Sequence, residues 1–414
     1  MEAAHSAGLT IGYLGSKDAL SERHRELAET VLLLPDVSPD RVVQAAVALH
    51  GVQPFDLAVT MHDTFLQTVA RINQELGLTA TPLRTVTAVD DKAFMREVLR
   101  GSEVGKVAFA KVRCAQDLLG LGEVLGFPLI LKPTRGTGSQ QIHFVRHGAR
   151  LRELAGELDF SVPGKETSAP WLAEEFLTGP EFSVETFSVA GEHHILAVTE
   201  KFKTANFVEI GHLVPARITA EQQAPIAAEV RRLLTALGVQ EGPAHTEIVL
   251  TDRGPRVIET HTRPGGDAIV ELVRLASGFD VQELTFTWLS GKPLDLTPRP
   301  LAAAAAIWFL TLPEGEVTSV GGLDEARAAE GVESAYLTAA VGDLVPPLRS
   351  SWDRQGDVLA VGEDPDTALS RAQQAVGLFE VEVDPSTASR PDPPPGRRGP
   401  AIRHHLPLHR TVTT

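Results

Sequence analysis

A single cysteine, Cys114, stands in a chain of 414 residues, so no internal disulfide can brace the fold. Lone thiols suit a reducing compartment, and a cytoplasmic setting is expected. Long apolar runs are also missing. The most apolar piece, Leu301–Leu310, falls short of the ~18 residues a membrane helix needs, so no membrane partner is expected. The opening MEAAHSAGLT has neither the basic segment nor the apolar stretch of a secretion signal. Positive charge is scarce as well: 38 Lys and Arg against 54 Asp and Glu leave a net charge of −16. That balance excludes broad attachment to nucleic acid or anionic lipid, which needs clustered cations. An anionic ligand must instead meet a local gathering of lysines, backbone N–H groups and metal ions.

What is present reads as globular. Hydrophobic residues at 43% and charged residues at 22% suit packed cores, and the length suggests two or three domains. Residues 8–90 alternate apolar runs (Leu9–Leu14, Val31–Leu34, Leu57–Thr60) with helical patterns (Asp18–Glu29, Thr64–Leu76). That alternation predicts a parallel sheet with crossover helices. Gly12 and Gly15 do not complete a dinucleotide fingerprint. Helices are expected at Asp91–Arg100, capped by Asp90 or Asp91, and at Ala115–Leu125. Strands follow at Phe127–Val145, Trp171–Phe176, Glu181–Val189, His194–Thr199, His245–Leu250 and Arg256–His261. Helices at Glu221–Leu237 and Ala268–Ala276 punctuate them. The units are therefore drawn at 1–90, 91–170, 171–298 and 299–383. A Pro-rich tail, 384–414, is too poor in apolar anchors to order itself. Its His404, His405 and His409 read as silent rather than as a metal site. Loop 161–170 has no placement from pattern alone. Cys114 reads as a core cysteine and not as a nucleophile, since no histidine partner is in view.

Two segments carry chemistry. Phe127–Gln141 (FPLILKPTRGTGSQQ) sets Lys132 on a strand before Gly136, Gly138 and Ser139. Glycines let backbone N–H groups approach phosphate oxygens, and the lysine adds a point charge. A Gly-rich hairpin with a solvated lysine is the plain alternative. Lys92, in the first turn of its helix, is a second candidate cation. The segment His245–Asp267 (HTEIVLTDRGPRVIETHTRPGGD) folds as a hairpin about Arg253. Glu247 then faces Glu259, each six residues from that centre, and Glu259, His261 and Arg263 share one face. Ile248, Leu250 and Ile258 should face the core. Opposed carboxylates repel unless a cation lies between them, and a hard divalent ion with oxygen ligands is the natural one. Gly265 and Gly266 with Asp267 then open a helix whose N-terminus could accept an anion.

In that order, Lys92, Lys132 with its glycine loop, Glu174-Glu175-Phe176, Glu181, Glu247, Glu259 and Arg263 resemble the ATP-grasp superfamily. The resemblance implies a mixed α/β and α+β, three-part architecture. Its parts are a Rossmann-like N-terminal domain, an ATP-grasp domain with a glycine-rich lid, and a C-terminal mixed α/β subdomain. It implies ATP as substrate and two Mg²⁺ ions, with Mn²⁺ as a substitute. Lys92, Lys132, Gly136, Gly138 and Ser139 would contact phosphates, and Glu174, Glu175 and Phe176 the adenine. Glu181 would hold the ribose, and Glu247, Glu259 and His261 the metal, His261 standing where many members carry Asn. Arg263 and Lys132 would act on the transferring phosphoryl group. The string FVEIGHLVPA is similar to L-amino-acid ligases that make dipeptides. That likeness places His212 and Glu209, with Arg263, Gly265 and Gly266, against the acid substrate. His62 and Asp63 fall where such ligases recognise the amine. A homodimer is expected from family habit. A carboxylate–amine ligase working through an acyl phosphate is the leading reading, with carboxylic acid and amine substrates, amino acids above all. A carboxylase-type enzyme activating bicarbonate or formate, and a non-catalytic ATP-binding module, are the alternatives. Trp171 and Phe207 could line the site or fill the core.

Overall fold

The structure is a computed structural model and describes residues 1–136, 138–160 and 170–387. Most of loop 161–170 and the tail beyond 387, with its three histidines, lie outside the described residues.

The N-terminal unit is a two-stranded parallel sheet, Gly12–Gly15 beside Thr30–Leu33, with the Pro39–Val52 and Leu66–Leu76 helices packed against it. The expected strand at Leu57–Thr60 does not form. Asn73 explains why: its side-chain amide accepts from Ala58 N and donates to Ala58 O, both at 2.9 Å. That segment's backbone is satisfied by a helix side chain rather than by a ladder. The helix expected over Asp18–Glu29 is a short turn at Lys17–Ala19 and a helix at Glu22–Leu27. Ser21 starts the second by accepting from His24 N, so it caps where the pattern suggested continuity.

Asp91 caps the Lys92–Val98 helix by accepting from Phe94 N. A four-stranded antiparallel sheet follows, ordered Phe109–Val112, Trp171–Glu175, Leu129–Pro133, His143–Val145. Trp171 therefore joins this smaller sheet, where it is a core residue with Leu129, Leu131, Leu151 and Leu154. The helical pattern of Ala115–Leu125 breaks at Gly120 into two short helices. Cys114, expected in a core, is exposed at the start of the first, because the chain leaves the sheet edge there.

The large sheet has eight strands. Its order is Gly254–His261, Gly242–Thr251, Glu181–Val189, Glu192–Lys203, Glu209–Val214, Ala304–Leu310, Gly356–Gly362, Val332–Leu337. Helix Ala220–Leu237 covers one face through Ile226, Val230, Leu233 and Leu234, against Phe182, Val184, Val198, Ile248 and Val257. The boundary drawn at 298–299 thus lies inside one continuous sheet. The middle part of FVEIGHLVPA supplies its fifth strand, Glu209–Val214. Val208 and Leu213 anchor that strand in the interior.

The hairpin pairs Glu247 with Glu259, but not for the reason the spacing gave. The turn is centred between Asp252 and Arg253, with Thr251 opposite Gly254 and Ile248 opposite Val257. A β-bulge after Glu247 adds one residue and restores the Glu247–Glu259 pair. The bulge also turns the core position from Ile258 to Val257, which is fully buried.

Candidate active site

Alternation along five adjacent strands gathers a polar face. Glu247 lies opposite Glu259 on one side and Ser183 on the other, and Ser183 lies opposite Thr199. The next row runs His261, His245 and Glu185. A third pairs Lys201 with His212 and His212 with Ile307.

Each opposed carboxylate has its own lysine and histidine. Lys92 Nζ lies 2.8 Å from Glu259 Oε2, and His261 Nε2 lies 3.1 Å from Glu259 Oε1. Lys201 Nζ lies 2.5 Å and His245 Nε2 3.5 Å from Glu247 Oε1. Burial works against ionisation of Glu247, yet Lys201 and His245 hold it well below the usual carboxylate range. The same contest at Glu259 is decided by Lys92 and His261. Both carboxylates are therefore anionic at neutral pH and stand face to face. Their oxygens suit a hard divalent cation. His261, the third expected ligand, holds its Nε2 on Glu259 Oε1.

Lys201 was not singled out from sequence, since the expected strand ended at Thr199. Its side chain is 1% exposed and touches Glu209, Glu247 and Glu181. Burial disfavours the ammonium, but three carboxylates outweigh it and raise its pKa well above the ordinary value. The buried Glu185–His245 pair, 2.9 Å apart, was also missed. Burial opposes the imidazolium, and Glu185 and Glu247 still lift it to about 9. The alternation Glu181, Ser183, Glu185 with Phe182 and Val184 between them was the readable signal. Gly265 lies against this pair, where an added Cβ would meet His245 Nδ1 at 3.0 Å. Gly266 has open space on that side.

At the phosphate end, Lys92 Nζ also donates to Gly136 O at 3.0 Å, which ties the glycine loop to the carboxylate pair. Gly136, Gly138 and Ser139 all have positive φ. Lys132 Nζ lies 2.7 Å from Glu174, whose other oxygen meets Arg96 Nε at 2.5 Å. Glu174 is 5% exposed. Its carboxylate thus joins Lys132 to Arg96. Glu175 accepts from Ala108 N at 3.0 Å and pairs with Arg253 at 2.5 Å. Phe176 groups with Phe144 and Phe207, ring centroids 4.7 to 6.3 Å apart. Phe207 is thus a wall residue of this end. Glu181 pairs with Lys203.

At the other end, Arg263 Nε pairs with Asp63, which brings the N-terminal unit to the site. His62 also makes a contact of its own. His212 is fully buried, and neither ring nitrogen has a hydrogen-bond partner. Its Nε2 lies 3.5 Å from Asp267 and 3.8 Å from Glu209, close but poorly aligned. Asp267, expected only as a helix start, is held well below the carboxylate range despite burial, by His212 and Arg354.

Comparison with known proteins meets this geometry at three places. Residues 1–94 match the ATP-grasp N-terminal domain and residues 125–271 the ATP-grasp domain. Residues 308–384 match the L-amino acid ligase C-terminal domain 2. The chain belongs to the ATP-grasp superfamily. Members of this superfamily use ATP with divalent metal ions. The L-arginine-specific L-amino acid ligase of Bacillus subtilis is 24% identical over 334 residues, 78% of this ATP-grasp chain and 79% of that protein. The alanine–anticapsin ligase of Bacillus subtilis is 26% identical over 62% of the chain, and the match spans 59% of that ligase's own length. In fold, the L-amino acid ligase of Bacillus licheniformis superposes with a TM-score of 0.75 at 22% identity, covering 92% of this chain and 95% of that one. Among the described residues of the ATP-grasp chain, no helix is long and apolar enough to cross a membrane.

Proposed function

We propose that this ATP-grasp ligase phosphorylates a carboxylic acid with ATP and joins the resulting acyl phosphate to an amine, with amino acids as substrates. The observation that carries the reading is the opposed, ionised pair Glu247 and Glu259. It sits between the lysine-bearing glycine loop and the cluster around His212.

The residues fit a nucleotide at one end and an acid at the other. Phe144, Phe176 and Phe207 offer apolar faces to a base. Lys92, Lys132 and the backbone of Gly136, Gly138 and Ser139 would meet the phosphates. Glu247 and Glu259 would hold magnesium, which supplies charge neutralisation to the outer phosphates. A carboxylate oxygen of the acid attacks the γ-phosphorus; the bond to the β,γ-bridging oxygen breaks and ADP leaves. Arg263 and Lys132 stabilise the migrating oxygens. The amine nitrogen then attacks the acyl carbon, phosphate departs with the bonding pair, and the ammonium proton passes to phosphate or water. The closed glycine loop would exclude water, which otherwise hydrolyses the mixed anhydride. At the acid end, Glu209 and Asp267 flank His212, each paired with a cation, Lys201 and Arg354. Similarity to L-amino acid ligases supports an amino acid as the acid.

The test is ADP release on addition of paired L-amino acids, with mass spectrometry of products, run with and without bicarbonate. An amide in equal amount to ADP is the expected result. Glu247→Gln should keep the fold and lose about 10³-fold in kcat, since an amide cannot replace a carboxylate on the metal. Release that depends on bicarbonate alone would favour the carboxylase class. Undiminished turnover by the Gln variant would remove the metal site.

A further inference from the structure

One side of the cluster around His212 comes from far along the chain. Arg354 follows the short turn Ser351–Asp353, and its side chain is 9% exposed. It donates from both terminal nitrogens to Asp267, at 2.9 Å to Oδ2 and 2.7 Å to Oδ1. It also reaches Glu209 O at 3.3 Å and Ser351 O at 2.7 Å. Its guanidinium lies 3.7 Å from the centroid of the Phe309 ring. Three of these partners, Asp267, Glu209 and Phe309, border His212. Asp267 and Glu209 approach Nε2 at 3.5 and 3.8 Å, and Phe309 stands edge-on to the imidazole at 5.9 Å.

The arrangement needs an organiser. Asp267 holds φ at 52°, in the left-handed region that a residue with a Cβ seldom adopts. A planar guanidinium fixes both oxygens of a carboxylate at once, which an ammonium cannot do. Released from that fork, Asp267 could swing fully onto His212 and occupy the nitrogen now without a partner.

We propose that Arg354 is a positioning residue for acid activation, holding Asp267, the Glu209 main chain and Phe309 around His212 so that the acid substrate is received in one pose. The inference rests on reading the cluster around His212 as the acid site. It gives the C-terminal unit a part in the chemistry, since Arg354 and Phe309 both lie within the segment that matches the L-amino acid ligase C-terminal domain.

The test follows ADP release by the full chain with saturating Mg²⁺ and ATP, titrating an equimolar mixture of the common L-amino acids. Arg354→Met should lower kcat/KM for the mixture about 10- to 100-fold while half-saturation by MgATP stays within about twofold. Arg354→Lys should recover little, because the fork and not the charge is needed. Asp267→Asn should give a similar loss, and the double variant should be no worse than Arg354→Met. MgADP binding by each variant reports whether it is folded. If the wild type releases no ADP with the mixture, the acid-site reading fails and this inference falls with it. If the wild type is active and Arg354→Met or Arg354→Lys titrates like it, the positioning role is refuted while the acid site stands. A loss confined to MgATP affinity would assign Arg354 to the glycine loop instead and also refute the proposal.

Discussion

Asp357 shows at the residue scale how a neighbour of the site is held out of the ordinary range. It lies opposite Phe309 across the sheet. Burial lifts its carboxyl from 3.8 to about 6, Arg354 opposing the rise and Asp267 adding to it. A pKa raised by folding contributes stability below the unfolded value and loses it as pH climbs through the folded one. This group therefore costs stability between about pH 4 and 7 and gives none back above. Asp357→Asn should stabilise the protein at pH 8 by about 1–2 kcal/mol and change little at pH 4, as read from urea midpoints at the two pH values. Equal midpoints at pH 8 would mean the carboxyl is solvated. Residues of this kind were not legible in the sequence. Asp357 and Arg354 lie in a stretch without a motif, and their meaning comes from a strand pairing that brings them beside Asp267. Glu247 and Glu259 were legible because a hairpin is local and its alternation is visible. Lys201 was half legible: two more residues of strand would have placed it beside Glu181.

At the scale of elements, the glycine loop is held from two sides. Lys92 takes Gly136 O, and Ser351 N donates to Gly138 O at 3.1 Å. Gly138 has φ 72°, and a Cβ there would meet the Trp352 indole nitrogen at 2.8 Å. Gly138→Ala therefore adds backbone strain and a clash that the exposed Trp352 can relieve only by leaving the loop. The half-saturating concentration of ATP should rise about tenfold, with the thermal midpoint little changed. No change in ATP dependence would show that the loop does not close on phosphate. Elements also mark where pattern reading fails. The hairpin's pairing was right although the turn was misplaced, because the bulge after Glu247 compensates for a turn centred half a residue earlier. The strand expected at Leu57–Thr60 had the right composition, and Asn73 claimed its backbone first. The break at Gly120 and the cap at Ser21 were signalled by residue type, and a continuous apolar stripe concealed them.

Across the whole molecule, the large sheet joins what the sequence divides. Strands Ala304–Leu310, Gly356–Gly362 and Val332–Leu337 continue the sheet that carries Glu181, Lys201 and His212. A fragment ending at 298 would expose the Glu209–Val214 edge along with Val214 and Leu213, both now buried. Such a fragment should fail to give a cooperative unfolding transition, whereas the chain cut at 387 should unfold as the full protein does. A folded fragment would restore the boundary drawn from composition. The three-part order of the superfamily was legible because its residues recur in one sequence order. The sheet's continuity was not, since it depends on pairings between strands about 100 residues apart, and long-range pairing leaves no local mark.

Activation of a carboxylate by phosphorylation is the central step of the proposed reaction. The most direct measurement uses an amino-acid mixture labelled with ¹⁸O in the carboxylates, and reads the phosphate released with ADP by mass spectrometry. One labelled oxygen in each phosphate is the result predicted, because the acid's own oxygen bridges carbon and phosphorus before the amine displaces it. Unlabelled phosphate, or AMP and pyrophosphate in place of ADP, would contradict it.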